Sequence, residues 1–316
     1  MSFLYWLEIE IVRKEIFQVF ENLLNDSEPE VRTRTLAKLP EIFDKLTEHQ
    51  LQNEVISKLK TLVVDSSLHV RLEAANVLTK LCAILRKEPL LTNLLPLVQT
   101  LLKDEIINVK IAAIKVLGPL KERVGIHDVE NDIFPIMEEI SREKQWRCRL
   151  SLTEALPEIF QRMGPEIFKT QCFDFMFEFI KDHYCAIREQ TIENIYKFIQ
   201  LYGFEPLSEK VTTTLQSLIV ADNYLFRVTA LKLMNKLYLS FDQNTFESLL
   251  GSIIDNLGKD KVPNVRLVLV QTISEQLERI PNNLMEVYVK PLFEKLKDDK
   301  DSDVSYFAGK ALNKTE

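Results

Sequence analysis

Side chains that could ligate a metal or serve as a nucleophile are few and scattered along this chain. His183 and Cys185 form the one adjacent pair of candidate ligands, whereas a structural zinc site needs four donors. Ser66 and Ser67 precede His69, but no base and orienting group accompany them at a recognisable spacing. Seven glycines, three of them at expected helix ends, leave no loop that could cradle a phosphate. The sequence therefore predicts no metal, no cofactor and no enzymatic activity.

A more regular set of charged side chains recurs every 39 residues. An acidic residue is followed five positions later by an apolar residue and six positions later by a base, as in Asp26, Val31 and Arg32. Carboxylates and guanidinium groups form strong charge-assisted hydrogen bonds. We expect a ladder of such bonds within and between neighbouring repeats. Its predicted members are Asp26, Arg32, Asp65, Arg71, Asp104, Lys110, Glu143, Arg149, Asp182, Asp260 and Arg266.

The predicted ladder weakens at three positions. Lys110 replaces an arginine, and Ser305 leaves the last repeat without a base. Ala221 stands where an acid is expected, with Asp222 displaced by one residue. These departures identify the repeats in which the turns are expected to differ.

The spacing of these residues is that of an internal repeat. Eight periods of 39 account for 312 of the 316 residues and leave no room for a separate globular domain. Apolar residues recur at spacings of three and four on both sides of each turn, which predicts two amphipathic helices per repeat. Helical pairs of this size must stack to bury their apolar faces. The predicted fold is all-α, a right-handed α-solenoid of about eight paired-helix repeats.

The repeats divide the chain into a short N-terminal segment and a single solenoid. The solenoid covers residues 12–316. Its predicted repeats are 12–50, 51–89, 90–128, 129–167, 168–206, 207–245, 246–284 and 285–316. Residues 1–11 are apolar but lack the basic region and cleavage site of a secretory signal. We consider three interpretations for them: a cap over the first repeat, a docking edge, or a truncated edge on which earlier repeats packed.

Apolar columns at the repeat spacing define the predicted core. Three of them precede each turn, beginning at Ile16, Phe20 and Leu23, and one follows it, beginning at Leu39. Glycine after a helix permits a left-handed cap, and proline is tolerated at a helix start but bends a helix interior. Caps are expected at Gly125, Gly164 and Gly203. Prolines at helix starts are expected at Pro96, Pro135 and Pro291, and prolines that bend the second helix at Pro40 and Pro157.

Composition excludes further classes of function. No apolar run approaches the roughly 20 residues of a membrane span. Forty basic against 47 acidic residues give a net charge of −7, whereas a surface that follows nucleic-acid phosphates should be strongly basic. The four cysteines lie in or beside helical columns, which favours structural thiols in a reducing cytoplasm or nucleus.

Six longer stretches carry a resemblance to a known family. They are LLPLVQTLLKDE (94–105), KQWRCRL (144–150), DHYCAIRE (182–189), DNYLFRVT (222–229), PNVRLVLV (263–270) and VKPLFEKLKDDKDSDVSYFA (289–308). In this order and spacing they resemble the C-terminal repeats of the scaffolding A subunit of protein phosphatase 2A. The resemblance covers residues 90–316, and residues 11–89 match more loosely. It identifies each 39-residue pair as a HEAT repeat.

The resemblance implies a function and a partner. In that family the array is about twice as long; its earlier repeats hold a regulatory subunit and its last five hold the catalytic subunit. Since this chain resembles the second half, the resemblance implies binding of a serine/threonine phosphatase catalytic subunit but not of a B-type regulatory subunit. The reaction and its metals would belong to the partner.

Large side chains in several turns indicate where a partner would bind. Trp146, Tyr184 and Tyr224 are not required by the fold, and aromatic residues dominate interface energies. Trp146 could instead pack on a neighbouring turn. The residues predicted to contact the catalytic subunit are Gln145, Trp146, Arg147, His183, Tyr184, Arg188, Asn223, Tyr224, Leu225, Arg227, Pro263 and Asn264.

Three functional interpretations remain open from the sequence. The first is a noncatalytic phosphatase scaffold. The second is a different HEAT-repeat adaptor, such as a transport or assembly factor, that holds a peptide or protein on its concave face. The third is a short array that occupies the catalytic subunit in competition with a full-length scaffold. Whether Met1 is a natural start stays open as well.

Overall fold

The computed structural model of the chain describes residues 11, 15, 17–124, 130–160 and 173–315. It divides into two compact units, Met1–Met163 and Gly164–Glu316. The apolar N-terminal segment, apart from Ile11, and two of the expected glycine caps, Gly125 and Gly164, lie outside the described residues. All helix counts below refer to the described ranges.

Unit 1 contains four successive helical pairs within its described residues. The pairs are α1 (Phe17–Leu24) with α2 (Pro29–Lys38), α3 (Ile56–Leu62) with α4 (Leu68–Cys82), α5 (Leu95–Leu102) with α6 (Ile107–Val124), and α7 (Glu130–Ser141) with α8 (Trp146–Phe160). A 3-10 helix follows α2 at Leu39–Lys45. Short π-helical turns lead into α3 and α5 at Gln50–Val55 and Leu90–Leu94.

Unit 2 repeats the same arrangement. Its described pairs are α9 (Phe173–Glu178) with α10 (Cys185–Tyr202), α11 (Ser208–Ile219) with α12 (Tyr224–Leu237), α13 (Gln243–Leu257) with α14 (Pro263–Glu275), and α15 (Lys290–Leu296) with α16 (Ser302–Leu312). A π-helical turn, Met285–Val289, leads into α15. Each pair corresponds to one predicted repeat.

Helices of the same kind stack side by side within each unit. In unit 1 the second helices α2, α4, α6 and α8 pack on one another in order. In unit 2, α10, α12, α14 and α16 do the same. First helices also pack on their neighbours, as α11 does on α13. This stacking of helical pairs confirms the predicted all-α solenoid fold.

The apolar columns form the core of both units. In the column that ends each first helix, the members from Leu62 to Leu296 are at most 4% exposed. The prediction is wrong for the first member, Leu23, which is 39% exposed; α1 buries Phe17 and Leu24, whose equivalents Ile56 and Val63 are also buried, but not the face that carries Leu23. Burial of these side chains is the main stabilising contribution to the stack.

The positions of Gly203 and of the prolines agree with the sequence predictions except at Pro40 and Pro135. Gly203 has a φ of +82° and donates its N–H to the Ile199 carbonyl at 2.9 Å, so it caps α10 as predicted. Pro40 does not bend a continuous helix; α2 ends at Lys38 and a 3-10 helix follows. Pro135 lies inside α7 rather than at its start.

The remaining prolines fit their predicted places. Pro96 and Pro291 lie in the first turns of α5 and α15. Each follows a π-helical turn that continues directly into the α-helix, so each proline removes one N–H donor from a helical run that is already under way. Pro157 lies inside α8.

Candidate protein-binding turns

The aspartate at the start of a turn closes its own turn in six of the repeats. In repeat 1 the Asp26 carboxylate accepts a hydrogen bond from the Glu28 N–H at 2.8 Å. Such a bond from an aspartate to the N–H two residues on is a local turn motif. The same bond, at 2.8 or 2.9 Å, is formed by Asp65, Asp104, Asp182, Asp260 and Asp299.

The arginine six residues later joins its own turn to the next one. Arg71 donates from Nη1 to the Asp65 carbonyl at 2.8 Å and to the Ser66 carbonyl at 3.3 Å. Its Nε and Nη2 donate to the two carboxylate oxygens of Asp104, at 2.6 and 3.1 Å. A planar guanidinium suits this two-pronged contact, so Arg71 fixes the register of two successive repeats.

This contact recurs as a ladder in both units. In every rung the acid lies 33 residues after the base, which places it in the following repeat. The rungs are Arg32–Asp65, Arg71–Asp104 and Lys110–Glu143 in unit 1, and Arg227–Asp260 and Arg266–Asp299 in unit 2. Arg149 donates to the carbonyls of Glu143 and Lys144 in its own turn.

The rung between repeats 5 and 6 is different. Because Ala221 supplies no carboxylate, Arg188 Nε donates instead to Thr229 Oγ1 at 3.0 Å. Arg188 Nη1 still donates to the carbonyls of Asp182 and His183, at 2.7 and 3.0 Å. A neutral hydroxyl thus replaces a carboxylate at this junction.

The ladder shifts the ionisation of its acids. Burial is the largest single influence on the pKa of Asp65 and of Asp260 and raises it, but hydrogen bonds from the arginine and from a backbone N–H, together with the charges of the nearby arginines, outweigh burial and leave both pKa values below the usual range. The hydrogen bond from Arg266 likewise lowers the pKa of Asp299. These carboxylates therefore stay ionised and paired at neutral pH.

The opposite side of the unit 2 turns is exposed and partly apolar. Tyr184 is 44% exposed at the N-terminus of α10, and Tyr224 is 39% exposed as the first residue of α12. Val220, immediately before the α12 turn, is 69% exposed. We call the exposed residues of these turns the turn surface. Its members are His183, Tyr184, Val220, Asn223, Tyr224, Pro263 and Asn264.

Some predicted contact residues also serve the fold. Asn223 caps α12 by accepting the Leu225 N–H at 3.0 Å, and Leu225 itself is half-buried. Arg188 and Arg227 are 3% and 8% exposed, with their guanidinium groups bonded inside the ladder. The prediction that Arg188 and Arg227 contact a partner is therefore corrected: both guanidinium groups form hydrogen bonds inside the turns.

Unit 1 contributes the remaining predicted contact residues at the start of α8. Gln145 and Arg147 are exposed, and Trp146 is half-buried. The Arg147 guanidinium lies 4.9 Å from the centre of the Trp146 ring, a cation–π contact. The three residues thus form a small amphipathic group at one turn.

The cysteines differ from one another in exposure. Cys82 and Cys148 are buried, and burial raises the pKa of Cys82 to about 12 and also raises that of Cys148. Cys185 is exposed, so it is not the buried structural thiol that its column suggested. Cys172 lies outside the described residues.

Val220 was not among the predicted contact residues. Its column holds Lys103, Lys181 and Lys259 in other repeats but also Val64, which is 64% exposed, so an apolar residue at this position was not a distinguishing signal. Within the described residues, no group of three or more His, Cys, Asp or Glu side chains could hold a metal ion. No helix in those ranges is both long and apolar enough to cross a membrane.

Stacked helical pairs joined by this ladder define a HEAT-repeat solenoid, a noncatalytic class of protein. The family model described as "PIK3R4-like, middle domain" matches residues 55–314, and the chain belongs to this family. A second model, described as "PPP2R1A-like HEAT repeat", matches residues 9–86. That match lies entirely outside the region, 90–316, in which the sequence motifs suggested the phosphatase scaffold.

Solved structures of karyopherins share the fold. Kap121p bound to the extreme C-terminus of the protein phosphatase Cdc14p has a TM-score of 0.69 at 14% identity, over 94% of this chain and 32% of that one. Kap121p bound to Ste12p has a TM-score of 0.69 at 15% identity, over 96% and 33%. Importin beta in an ammonium sulfate condition has a TM-score of 0.53 at 14% identity, over 95% and 42%. At these identities the likeness concerns the fold alone, and this chain spans about a third of the length of Kap121p. No curated protein sequence gives a significant match.

Proposed function

We propose that the chain is a noncatalytic scaffold that holds a partner protein on the turn surface of unit 2. We further propose that this partner is the catalytic subunit of a serine/threonine phosphatase of the 2A type. The six sequence stretches that resemble the phosphatase A subunit support this choice, as does the PPP2R1A-like match over residues 9–86. The scaffold acts in the cytoplasm or nucleus.

The carrying observation is the exposure of Tyr184 and Tyr224 on consecutive turns. Neither ring is needed to close its turn, because the ladder already does so through Arg188 and Arg227. Exposed tyrosines present a large apolar area with a polar end, the type of residue that dominates protein interfaces. Val220 lies in the second of these turns and adds apolar area.

Such a scaffold contributes by positioning the bound phosphatase. Substrate chemistry and its metals belong to the bound phosphatase. Because small rotations at each repeat add along a stack of helices, the scaffold sets where the bound enzyme faces. No regulatory subunit is needed for this role.

The test is capture of a purified 2A-type catalytic subunit by the immobilised chain. The double variant Tyr184→Ala/Tyr224→Ala should weaken capture about tenfold or more, since interface tyrosines are common hot spots. Tyr306→Ala is the matched control, because Tyr306 is 64% exposed but lies within α16 rather than at a turn. Equal capture by the double variant and the control would refute the proposed site; no capture by the unaltered chain would refute the partner.

Trp146→Ala tests the predicted contact in unit 1 separately. Loss of capture with unchanged circular dichroism would support a contact by Trp146. Unchanged capture would assign Trp146 to local packing with Arg147, which lies 4.9 Å from its ring.

A second candidate function is that of an adaptor that binds an extended peptide along the row of second helices. Kap121p structures with the same fold contain bound protein segments, which favours this alternative as much as the first. The row of second helices in unit 2 carries exposed charges, with Lys236 2.8 Å from Glu193 and Lys232 paired with Glu189. Co-purification followed by mass spectrometry distinguishes the two: recovery of a phosphatase catalytic subunit supports the first, and another stable partner supports the second.

Competition with a full-length scaffold is tested in the same system. The chain is added at saturating concentration to a preformed three-part phosphatase holoenzyme. Release of the catalytic subunit from that holoenzyme supports competition, and an unchanged holoenzyme excludes it.

A further inference from the structure

A groove lies between the first helices of repeats 7 and 8, and one of its ends lies at the turns of these repeats. Its volume is 350 Å³, near the lower end of the roughly 300–1,000 Å³ typical of ligand sites. Its residues from repeat 7 are Ile254, Asp255, Gly258 and Lys259. Its residues from repeat 8 are Val287, Tyr288, Pro291, Leu292 and Lys295.

The repeat 8 wall is built by the π-helical turn Met285–Val289 and helix α15. Single π turns are often found at functional sites. From Val287 to Lys295 the wall runs about 12 Å at the helical rise of 1.5 Å per residue, the length of about four residues of extended peptide. The groove can therefore take a short linear segment.

Repeats 2 and 3 show what the fold itself requires here. They have the same π-helical turn, Leu90–Leu94, followed by a proline at the equivalent position, 195 residues earlier. Thr92 and Asn93 there occupy the places of Val287 and Tyr288. Since polar residues satisfy the same backbone, the apolar pair in repeat 8 is not needed for folding.

Two glycines change the repeat 7 wall in the same comparison. Gly251 and Gly258 replace Ile56 and Val63, both of which are buried. A Cβ atom at Gly258 would lie 2.7 Å from Leu292 Cδ1, and one at Gly251 would lie 3.8 Å from the Tyr288 ring. The missing side chain at Gly258 therefore lets Leu292 lie close to the end of α13, whereas a Cβ atom at Gly251 would make only an ordinary contact with Tyr288.

The two lysines of the lining lie at one end of the groove and so distinguish its two ends. First helices end at the turns, so Lys259 and Lys295 both lie at the turn end of the groove. Both are exposed, and neither forms an ion pair within 4 Å in the described ranges. Asp255 is the one acid in the lining, a turn before Lys259. In repeats 2 and 3 the equivalent residues are Val64, Thr100 and Lys60, so this pattern is specific to repeats 7 and 8.

We propose that this groove binds a short extended peptide of a partner protein, with a large apolar side chain between Tyr288 and Ile254 and acidic residues against Lys259 and Lys295. Val287 is 65% exposed at the apolar end and would be covered by the peptide. Burial of apolar area would supply most of the binding free energy, and the two lysines would set the direction of the peptide.

The experiment uses a display library of random nine-residue peptides selected on the full chain. We expect enrichment of peptides in which an apolar residue is followed or preceded within about four positions by two acidic residues. The most enriched peptide is then synthesised with a fluorescent label, and its Kd is measured by anisotropy. Enrichment of basic peptides, or no enrichment, would overturn the proposal.

Surface variants locate the binding. Val287→Lys and the double variant Lys259→Glu/Lys295→Glu should each raise the Kd about tenfold or more, while Lys310→Glu, an exposed lysine on α16, should leave it unchanged. The turn variant Tyr184→Ala/Tyr224→Ala should also leave it unchanged, so failure of the phosphatase proposal and failure of this one are separable. A Kd unaffected by Val287→Lys would place the peptide elsewhere and refute the groove.

Discussion

The two sides of the same turns follow different rules. Inside the turns, Asp260 and Arg227 are at most 9% exposed and repeat an arrangement found in both units. Outside them, Tyr184 and Tyr224 have no aromatic counterpart in the turns of repeats 1 to 3. The inner side is therefore determined by stacking, whereas the outer side is free to vary. Departures from the period on an exposed side are the better indicators of function.

The largest expected effect comes from breaking a rung. Arg227→Ala removes two bonds to Asp260 and two to the carbonyls of Ala221 and Asp222, and leaves a buried carboxylate without its partner. Loss of one member of a buried pair costs about 3 to 5 kcal/mol. Urea unfolding followed by circular dichroism should show this loss, whereas Arg34→Ala, at an exposed arginine of α2, should change stability by less than about 0.5 kcal/mol. Equal losses of unfolding free energy in the two variants would show that Arg227 stabilises the fold no more than an exposed arginine does.

Low pH should weaken the ion pairs on the inner side of the turns. The pKa values of Asp65, Asp260 and Asp299 are lowered in the folded chain, so their contribution to stability is present above the pKa of the unfolded carboxyl groups and is lost as pH falls below it. The free energy of unfolding should therefore decline as the pH is taken below about 4. Arg227→Ala should show a shallower decline than the unaltered chain, because Asp260 no longer has its partner. Parallel pH profiles for the two proteins would contradict this assignment.

Restoring the missing carboxylate should have a smaller effect of the opposite sign. Ala221→Asp places an acid where the other rungs have one, and Arg188 could then bond to it in place of Thr229. We expect a gain on the order of 1 kcal/mol, the net value of one additional hydrogen bond. Ala221→Asn is the control, since it can close the turn without supplying charge. A loss of stability would mean that the hydrogen bond from Arg188 to Thr229 stabilises the fold more than a bond from Arg188 to an aspartate at position 221.

The outer side should tolerate change with the smallest effect on folding. Tyr184→Ala and Tyr224→Ala should each alter the free energy of unfolding by less than about 0.5 kcal/mol, as is usual for surface substitutions. The same urea titration measures it. A loss comparable with that of Arg227→Ala would erase the distinction between the two sides.

Much of the fold could be predicted because it depends on a period. The 39-residue spacing located the helices, most core columns and the Asp–Arg positions. It could not show that each base reaches the acid 33 residues ahead, since that depends on how neighbouring repeats are set against each other. For the same reason it did not reveal the burial of Arg188 and Arg227.

The candidate sites were less predictable. Tyr184 and Tyr224 could be found because aromatic residues in turns are conspicuous, but their contact with a phosphatase stays a prediction. The groove of repeats 7 and 8 depends on Gly258 and a π-helical turn, and the periodic pattern does not indicate where a π turn forms. The prediction of a buried Leu23 was wrong because the period alone does not show that α1 buries only the face that carries Phe17 and Leu24.

The ladder also has a direction, since each of the five charged rungs described above runs from a base to an acid in the following repeat. During synthesis, when N-terminal parts fold first, each new turn emerges after the arginine that will receive it is already held by its own turn. If repeats fold from the N-terminus, each new acid meets an arginine that is already held in its turn. If they folded from the C-terminus, the acid would be in place before its arginine. A vectorial order of assembly follows from the geometry of a single side-chain contact.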